Sequence, residues 1–417
     1  MRRSIVRAVA LMLATAVPAA IGADDGGVLP AGAHWDAAVP ANWNGTLLLY
    51  SRGYSANPGA PEAAPKPHRQ ALLDAGYAIA GSDYGASGWA LEEAVPAQQA
   101  TVAAFAARHG KPKRVIAWGS SMGGLVTTAL AERRGSGIDG GVAMCASIGG
   151  ALGMMNMALD GAYAFRTLIA PDADIRIVDV DDDRANGRRV AAALASATQT
   201  PQGRARIALA GVLAGIPGWT RADGAEPAPT DYRAQVDEIA KAFVMGVYLP
   251  RTDQEKRAGG AFSWNSGIDY RAQVALSGRQ PLLAALYREA GLDLDADLAK
   301  LNAGQRVTAK PAAVAYMRAH YTPNARPLVP LAAVQMIGDG LTSPSLQRGY
   351  VEAAKGAESL WVRGAGHCGF DTPTVLAAIR HVEARIESGR WGARPAGFVA
   401  HTPPPMLRPC VRGGTCR

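Results

Sequence analysis

From residue 24 onward the chain alternates short apolar runs with segments whose apolar residues recur at helical spacing. "GTLLLYS" (45–51) is a strand-length run of mostly apolar residues. "HRQALLDAG" (68–76) reads as a helix that stops at Gly76. "YAIAGSDYG" (77–85) predicts a second strand and its loop, and "PAQQATVAAFAARHG" (96–110) a helix with Val102, Phe105 and Ala106 on one face. "KRVIAWGS" (113–120) predicts a third strand, "MGGLVTTALAERRG" (122–135) a helix, and "DGGVAMCAS" (139–147) a fourth strand. Apolar strands alternating with helices predict a mostly parallel sheet flanked by helices, an α/β fold.

The alternation then stops. Residues 148–327 read as mostly helical segments, such as 153–170 and 281–290, separated by loops like "ADGAEPAPTDY". Strand signals resume at "LVPLAAVQMIGDG" (328–340) and "ESLWVRGAGH" (358–367). A last helix, "TPTVLAAIRHVEARIESG", carries Val375, Ile379, Val382 and Ile386 at helical spacing. About 180 residues is far beyond an ordinary connection. The pattern therefore predicts one core from 24–147 and 328–390, with a large helical cap (148–327) inserted between two core strands. The tail, 391–417, is rich in Pro, Gly and Arg and is expected to wrap the surface.

The first residues, "MRRSIVRAVALMLATAVPAAIGADD", read as a secretory signal. Arg2, Arg3 and Arg7 precede a short apolar run, and small residues follow, placing cleavage near Ala23. No other run approaches the ~18 apolar residues of a membrane helix. The expected product is soluble and exported, secreted or periplasmic. The four cysteines, Cys145, Cys368, Cys410 and Cys416, fit an oxidising compartment. Four cysteines allow three pairings. Cys410 and Cys416 bracket a short loop and are natural mates, which leaves Cys145 with Cys368; free thiols are the alternative. The net charge is +8, but the basic residues are scattered and no basic stripe is interleaved with aromatics. Nucleic acid is therefore not an expected partner.

The chemistry centres on "GSSMG". Only Ser121 has glycines at both flanking positions, Gly119 and Gly123. A strand turning straight into a helix strains the central serine, and side chains two residues away would collide. The helix start also offers the Met122 N–H to an oxyanion. A serine hydroxyl needs a base. Of seven histidines, His367 in "RGAGHCGF" follows the last strand. A histidine acting as base needs an acid to hold its tautomer. Asp339 in "MIGDGLTSP" follows the preceding strand, whereas Asp371 reads as the cap of the final helix. The loop after "TLLLY" would supply a second oxyanion donor, the Tyr54 N–H, presented by a turn at Gly53.

With "VPANWNGTLLLYSRGYS", "GSSMGG", "IGDGLTSPSLQRGY" and "GAGHCGFDTPTVLAAI", the chain resembles secreted bacterial α/β-hydrolases with an inserted cap, serine esterases and lipase-like enzymes. The resemblance spans nearly the whole mature chain and includes "WNSGIDYRAQVA". It implies an α/β-hydrolase fold, the triad Ser121, Asp339 and His367 in that order, and a Cys145–Cys368 bridge near the histidine loop. It also implies cleavage of small-molecule or oligomeric esters through an acyl-enzyme, without a cofactor or metal. One position departs: such enzymes usually carry His-Gly in the oxyanion loop, and this chain has Arg52-Gly53.

The same triad would cleave amides, so a serine peptidase or amidase is the alternative activity, and a non-catalytic binding protein of this fold a second one. Recognition of a free N-terminus would need an acidic pair in the cap, and Asp160, Asp237 and Glu238 are weak candidates for it. Met154, Met155 and Met157 would either line an acyl pocket or pack as core, and Tyr84 and Trp89 would either wall the site or do the same. "DVDDDRANG" (179–187) lacks the sixth-position glycine of a calcium loop and reads as solvated.

Overall fold

In the computed structural model, described for residues 24–57, 59–248 and 250–416, eight strands form one sheet. They are β1 (Asp24–Val28), β2 (His34–Ala38), β3 (Thr46–Ser51), β4 (Ala78–Ser82), β5 (Arg114–Ser120), β6 (Gly140–Met144), β7 (Leu331–Gly338) and β8 (Glu358–Ala365), in the spatial order β1-β2-β4-β3-β5-β6-β7-β8. Strands β3 to β8 pair in parallel, and β2 runs antiparallel to both β1 and β4. The signal segment, residues 1–23, lies outside the described residues.

The strands that read as apolar runs are the central ones, buried on both faces as a covered parallel sheet requires. Side chains alternate between the faces. Leu47, Leu49, Val115 and Ala117 pack on one side; Leu48, Tyr50, Ile116 and Trp118 pack on the other. Fully burying each leucine contributes about 1.5–3 kcal/mol. On the second face lie α1 (Lys66–Asp74) and the C-terminal helix, residues 372–388; on the first lie α2 (Leu91–His109) and α3 (Met122–Ala131). Helix α2 starts five residues before the predicted Pro96. That proline sits inside the helix and leaves one ladder bond unmade. The first turn is held from outside: Glu93 pairs with Arg257 at 2.7 Å and Glu92 accepts from the Tyr316 hydroxyl at 2.6 Å. The edge strands β1 and β2 carry no apolar-run signal. Backbone pairing makes them, and Gly27 leaves room for the Trp35 ring.

Between β6 and β7 the described residues form nine helices: α4 (Ala151–Leu168), α5 (Asp183–Ala197), α6 (Pro201–Leu213), α7 (Tyr232–Val247), α8 (Thr252–Ala258), α9 (Tyr270–Leu276), α10 (Gln280–Ala290), α11 (Leu294–Ala303) and α12 (Pro311–Tyr321). Helix α4 joins two cores. Its first turns, with Leu152 and Met155, pack with the sheet's core, and Leu159, Tyr163 and Phe165 pack with the insertion's own. Gly161 permits the close approach to α6, since a Cβ there would meet the Ala210 carbonyl at 2.8 Å. Two helices complete the chain, α13 (Pro344–Ala353) and α14 (Thr372–Ser388). Asp371 caps α14 by accepting from the Thr374 N–H at 2.9 Å.

The tail departs from its expected surface course. Met406, Leu407, Arg408 and Cys410 are buried. Met406 packs against Gly149, Gly153 and Gly349, and the fully buried Arg408 donates to Asp160 of α4 at 2.7 Å and to the Trp264 carbonyl at 2.9 Å. The carboxylate makes burial of the guanidinium tolerable, and no spacing in the sequence announces that partner. Among the described residues no helix is long and apolar enough to cross a membrane.

Candidate active site

Strand β5 ends at Ser120 and α3 begins at Met122, so Ser121 is the whole connection. Its backbone sits at φ 58°, a region costly for a residue with a side chain. The turn is held by its N–H donating to the Met144 carbonyl at 2.9 Å. The flanking glycines are required on steric grounds. A Cβ at Gly119 would lie 2.5 Å from the Gly123 carbonyl oxygen and 2.6 Å from that of Ser51, and one at Gly123 would overlap the Ser51 carbonyl. Ser120, the neighbouring serine, is the last residue of β5.

His367 follows β8 and Asp339 follows β7, at the C-terminal ends of adjacent parallel strands. The structure brings the three predicted residues together. His367 Nε2 lies 3.0 Å from Ser121 Oγ, and its Nδ1 lies 2.9 Å from Asp339 Oδ2. Asp339 is fully buried, and its Oδ1 accepts from the N–H groups of Leu341 (2.8 Å) and Thr342 (3.0 Å). Those donors aim the other oxygen at the imidazole. Thr342 was not identified from the sequence. Its hydroxyl lies 2.8 Å from Asp339 Oδ2 and 2.9 Å from the Cys145 carbonyl. Gln335, also unidentified, donates to the Thr342 carbonyl and reaches Asp339 Oδ2 at 3.4 Å.

Both predicted disulfides are present, Cys145–Cys368 and Cys410–Cys416. The first ties the end of β6 to the residue after His367, and Cys368 Sγ lies 3.3 Å from His367 Nε2. Cys145, Cys368 and His367 are close enough together to suggest a metal site, but both sulfurs are spent in the bridge and offer no thiolate.

Met122 N–H is the first of α3 and has no intrahelical acceptor, so it is available beside Ser121. Across from it, Gly53 lies so close that a Cβ would be 3.4 Å from Ser121 Cβ. Tyr54 is half-buried with its ring 5.4 Å from that of Trp89. Burial first, then the Asp253 and Asp183 carboxylates, pushes its phenol up.

Arg52, the departure from pattern, is held by the loop beneath. Its Nη2 donates to the carbonyls of Asp83 (2.9 Å) and Ala86 (2.7 Å), and Nη1 to that of Gly53 (3.1 Å). The guanidinium stacks 4.6 Å over Tyr84, whose hydroxyl donates to the Arg52 carbonyl at 3.0 Å. The arginine therefore braces the Gly53 turn and satisfies carbonyls at a point where the backbone is left-handed (Tyr84 φ 66°).

Other candidates are structural. Met154, Met155, Met157, Tyr84 and Trp89 are buried in the main core. Asp160 pairs with Arg408, Asp237 is exposed, and Glu238 holds the loop before α7 through the N–H groups of Thr220 and Arg221, both at 2.8 Å. In the acidic loop Asp182 caps α5, and Asp183 accepts from the Arg251 N–H at 3.0 Å.

No family model matches the chain. It is similar to an o-phthalyl amidase of Xanthobacter agilis, with 29% identity over 409 residues covering 88% of this chain and 87% of that one. Similar solved structures include an esterase of Pyrococcus furiosus (TM-score 0.41, 12% identity, 93% of this chain and 97% of that one). Another is feruloyl esterase B of Aspergillus oryzae (TM-score 0.38, 13% identity, 87% and 80%). A third is a proline iminopeptidase of Mycobacterium smegmatis (TM-score 0.40, 14% identity, 88% and 100%). A parallel sheet with one antiparallel strand near its edge and a strained serine between strand and helix make the chain an α/β-hydrolase in fold.

Proposed function

We propose that the chain is an exported serine hydrolase that cleaves carboxylic esters through an acyl-enzyme. The observation that carries this reading is the unbroken path from Ser121 Oγ through the His367 ring to the buried Asp339. Ser121 Oγ attacks the carbonyl carbon as His367 Nε2 takes its proton. The carbonyl oxygen becomes an oxyanion, held by the N–H groups of Met122 and Tyr54. Collapse of the adduct breaks the bond to the leaving group, which receives the proton from His367. Water then attacks the acyl-enzyme by the same route and releases the acid. Asp339 keeps the Nδ1 proton in place throughout and stabilises the imidazolium.

Residues 148–327 act as a cap over this site. Supporting that role, the segment before α7 reaches the triad's loops: the Trp219 carbonyl abuts Gly338, Thr220 abuts Gly340 and Ala222 abuts Gly366. Export is supported by the signal-like leader and by the two disulfides.

Amide cleavage is the second reading, favoured by the 29% identity to an amidase. It needs the same atoms and a better-protonated leaving group. A fluorophosphonate probe tests the shared chemistry: the folded protein should be labelled at Ser121 and the Ser121→Ala variant should not. Label elsewhere, or none, would sink both readings. Matched esters and amides of one acyl group, an o-phthalyl amide among them, decide between the two by kcat/KM.

A further inference from the structure

A concave site lies apart from the three triad residues. It is a cavity of about 260 Å³ between the end of α6, the loop before α7, the start of α13 and the tail. Its walls are mostly apolar, with Val212, Ile216, Trp219, Ile337, Pro404 and Leu407. None of Ser121, Asp339 and His367 lines it.

One strong cation stands at this wall. The guanidinium of Arg279 reaches two lining groups, the Ile216 carbonyl at 3.4 Å and Gln235 Oε1 at 3.3 Å. Both bonds are long for a charged donor. They engage two of its five N–H groups, leaving three without a protein acceptor among the described residues. No described carboxylate forms an ion pair with it. Burial lowers its pKa. Glu226, the carboxylate in the wall, is taken by Arg363.

The surroundings add positive potential. Arg279 is the N-cap of α10, where an acid or a hydroxyl is the favoured residue and a cation opposes the helix dipole. Gln235 is locked in orientation: its Nε2 donates to the carbonyls of Ala228 (3.1 Å) and Pro229 (3.0 Å), which turns Oε1 toward Arg279. Ser277, Ser343, Ser345 and His401 also line the wall. The result is a mostly apolar chamber with one guanidinium at its wall that has no carboxylate partner among the described residues.

We propose that this cavity binds a small carboxylic acid with an apolar body, its carboxylate on Arg279 and its body against Ile216, Trp219 and Leu407. At ~30 Å³ per water-sized group, the volume holds about nine heavy atoms, the size of benzoate or octanoate. The inference does not depend on hydrolysis at Ser121.

The test is calorimetric titration of the full protein with benzoate and octanoate against benzamide and octanamide. The acids should bind ~10-fold or more tightly than the amides, since only they form a charge-assisted fork–fork pair. Arg279→Gln should erase that preference, and Arg279→Lys should restore part of it. Ser121→Ala should leave it unchanged. Thermal melts of each variant establish that it is folded. Equal binding of acid and amide, no binding by either, a preference that survives Arg279→Gln, or one that disappears with Ser121→Ala would each overturn the proposal.

Discussion

Replacing Cys145 and Cys368 together by alanine should remove about 5 kcal/mol of stability. The bridge closes a loop of 223 residues that contains the whole helical insertion, β7 and β8. The chain-entropy relation gives about 18 cal/mol/K for a loop of that length, or about 5 kcal/mol at 25 °C. The Cys410–Cys416 bridge spans 6 residues, and the same relation gives about 2 kcal/mol. A difference of about 3 kcal/mol between the two double variants is therefore expected in urea unfolding followed by tryptophan fluorescence. The first bridge should also matter for rate. Cys368 is the residue after His367, its backbone is left-handed at φ 60°, and its sulfur lies 3.3 Å from the imidazole. Releasing it should let the ring drift from Ser121, and a misplacement of 1 Å costs ~10²-fold. The fall should appear in kcat at temperatures where the variant is still folded, with KM little changed. Equal stability of the two double variants, or a Cys145→Ala/Cys368→Ala protein with wild-type kcat, would refute the argument.

Four shorter predictions follow from other contacts. Asp339→Asn should lower kcat by ~10⁴-fold while leaving the fold intact, because an amide facing Nδ1 selects the wrong tautomer; circular dichroism and ester turnover check both halves. Arg52→Lys should cost about 1–3 kcal/mol and reduce kcat, since one ammonium cannot span the Asp83, Ala86 and Gly53 carbonyls; an unchanged kcat would mean that the brace does not set the oxyanion loop. Arg408→Met should destabilise by about 3–5 kcal/mol by stranding Asp160, and adding Asp160→Met should recover much of it; chemical denaturation of both variants reads this. Burial raises the Glu238 carboxyl, but Arg221 and the Thr220 and Arg221 N–H groups outweigh it and hold the carboxyl below its ordinary value. Its contribution is therefore present above about pH 4.5 and is lost as pH falls through the lower folded value. The stability gap between wild type and Glu238→Gln should narrow on acidification through that window, and a gap that widens would contradict the assignment.

The serine is legible in the sequence because its constraint is local. Glycines at 119 and 123 are demanded by carbonyls that any strand-to-helix turn brings near, so the requirement shows as spacing. His367 and Asp339 are legible for a related reason. Residues at the C-terminal ends of parallel strands converge on one edge of the sheet, and the strands themselves show as apolar runs. Thr342 and Gln335 leave no such mark, since a hydroxyl three residues after the acid and an amide four residues before it serve the acid only once the loop has folded.

What the sequence determined by itself was the local and the repetitive: apolar strands, amphipathic helices, the strained serine, and the cap at Asp371. These are written in adjacent residues because sterics and backbone hydrogen bonding act over a few positions. The tertiary structure alone decided where charge goes. Arg52 turned out to be a brace, Arg408 a buried partner for Asp160 some 248 residues away, and Arg279 a cation at a cavity wall with no ion-pair partner among the described residues. A charged side chain's role is set by what desolvates it and what compensates it, and both are supplied by segments remote in the chain.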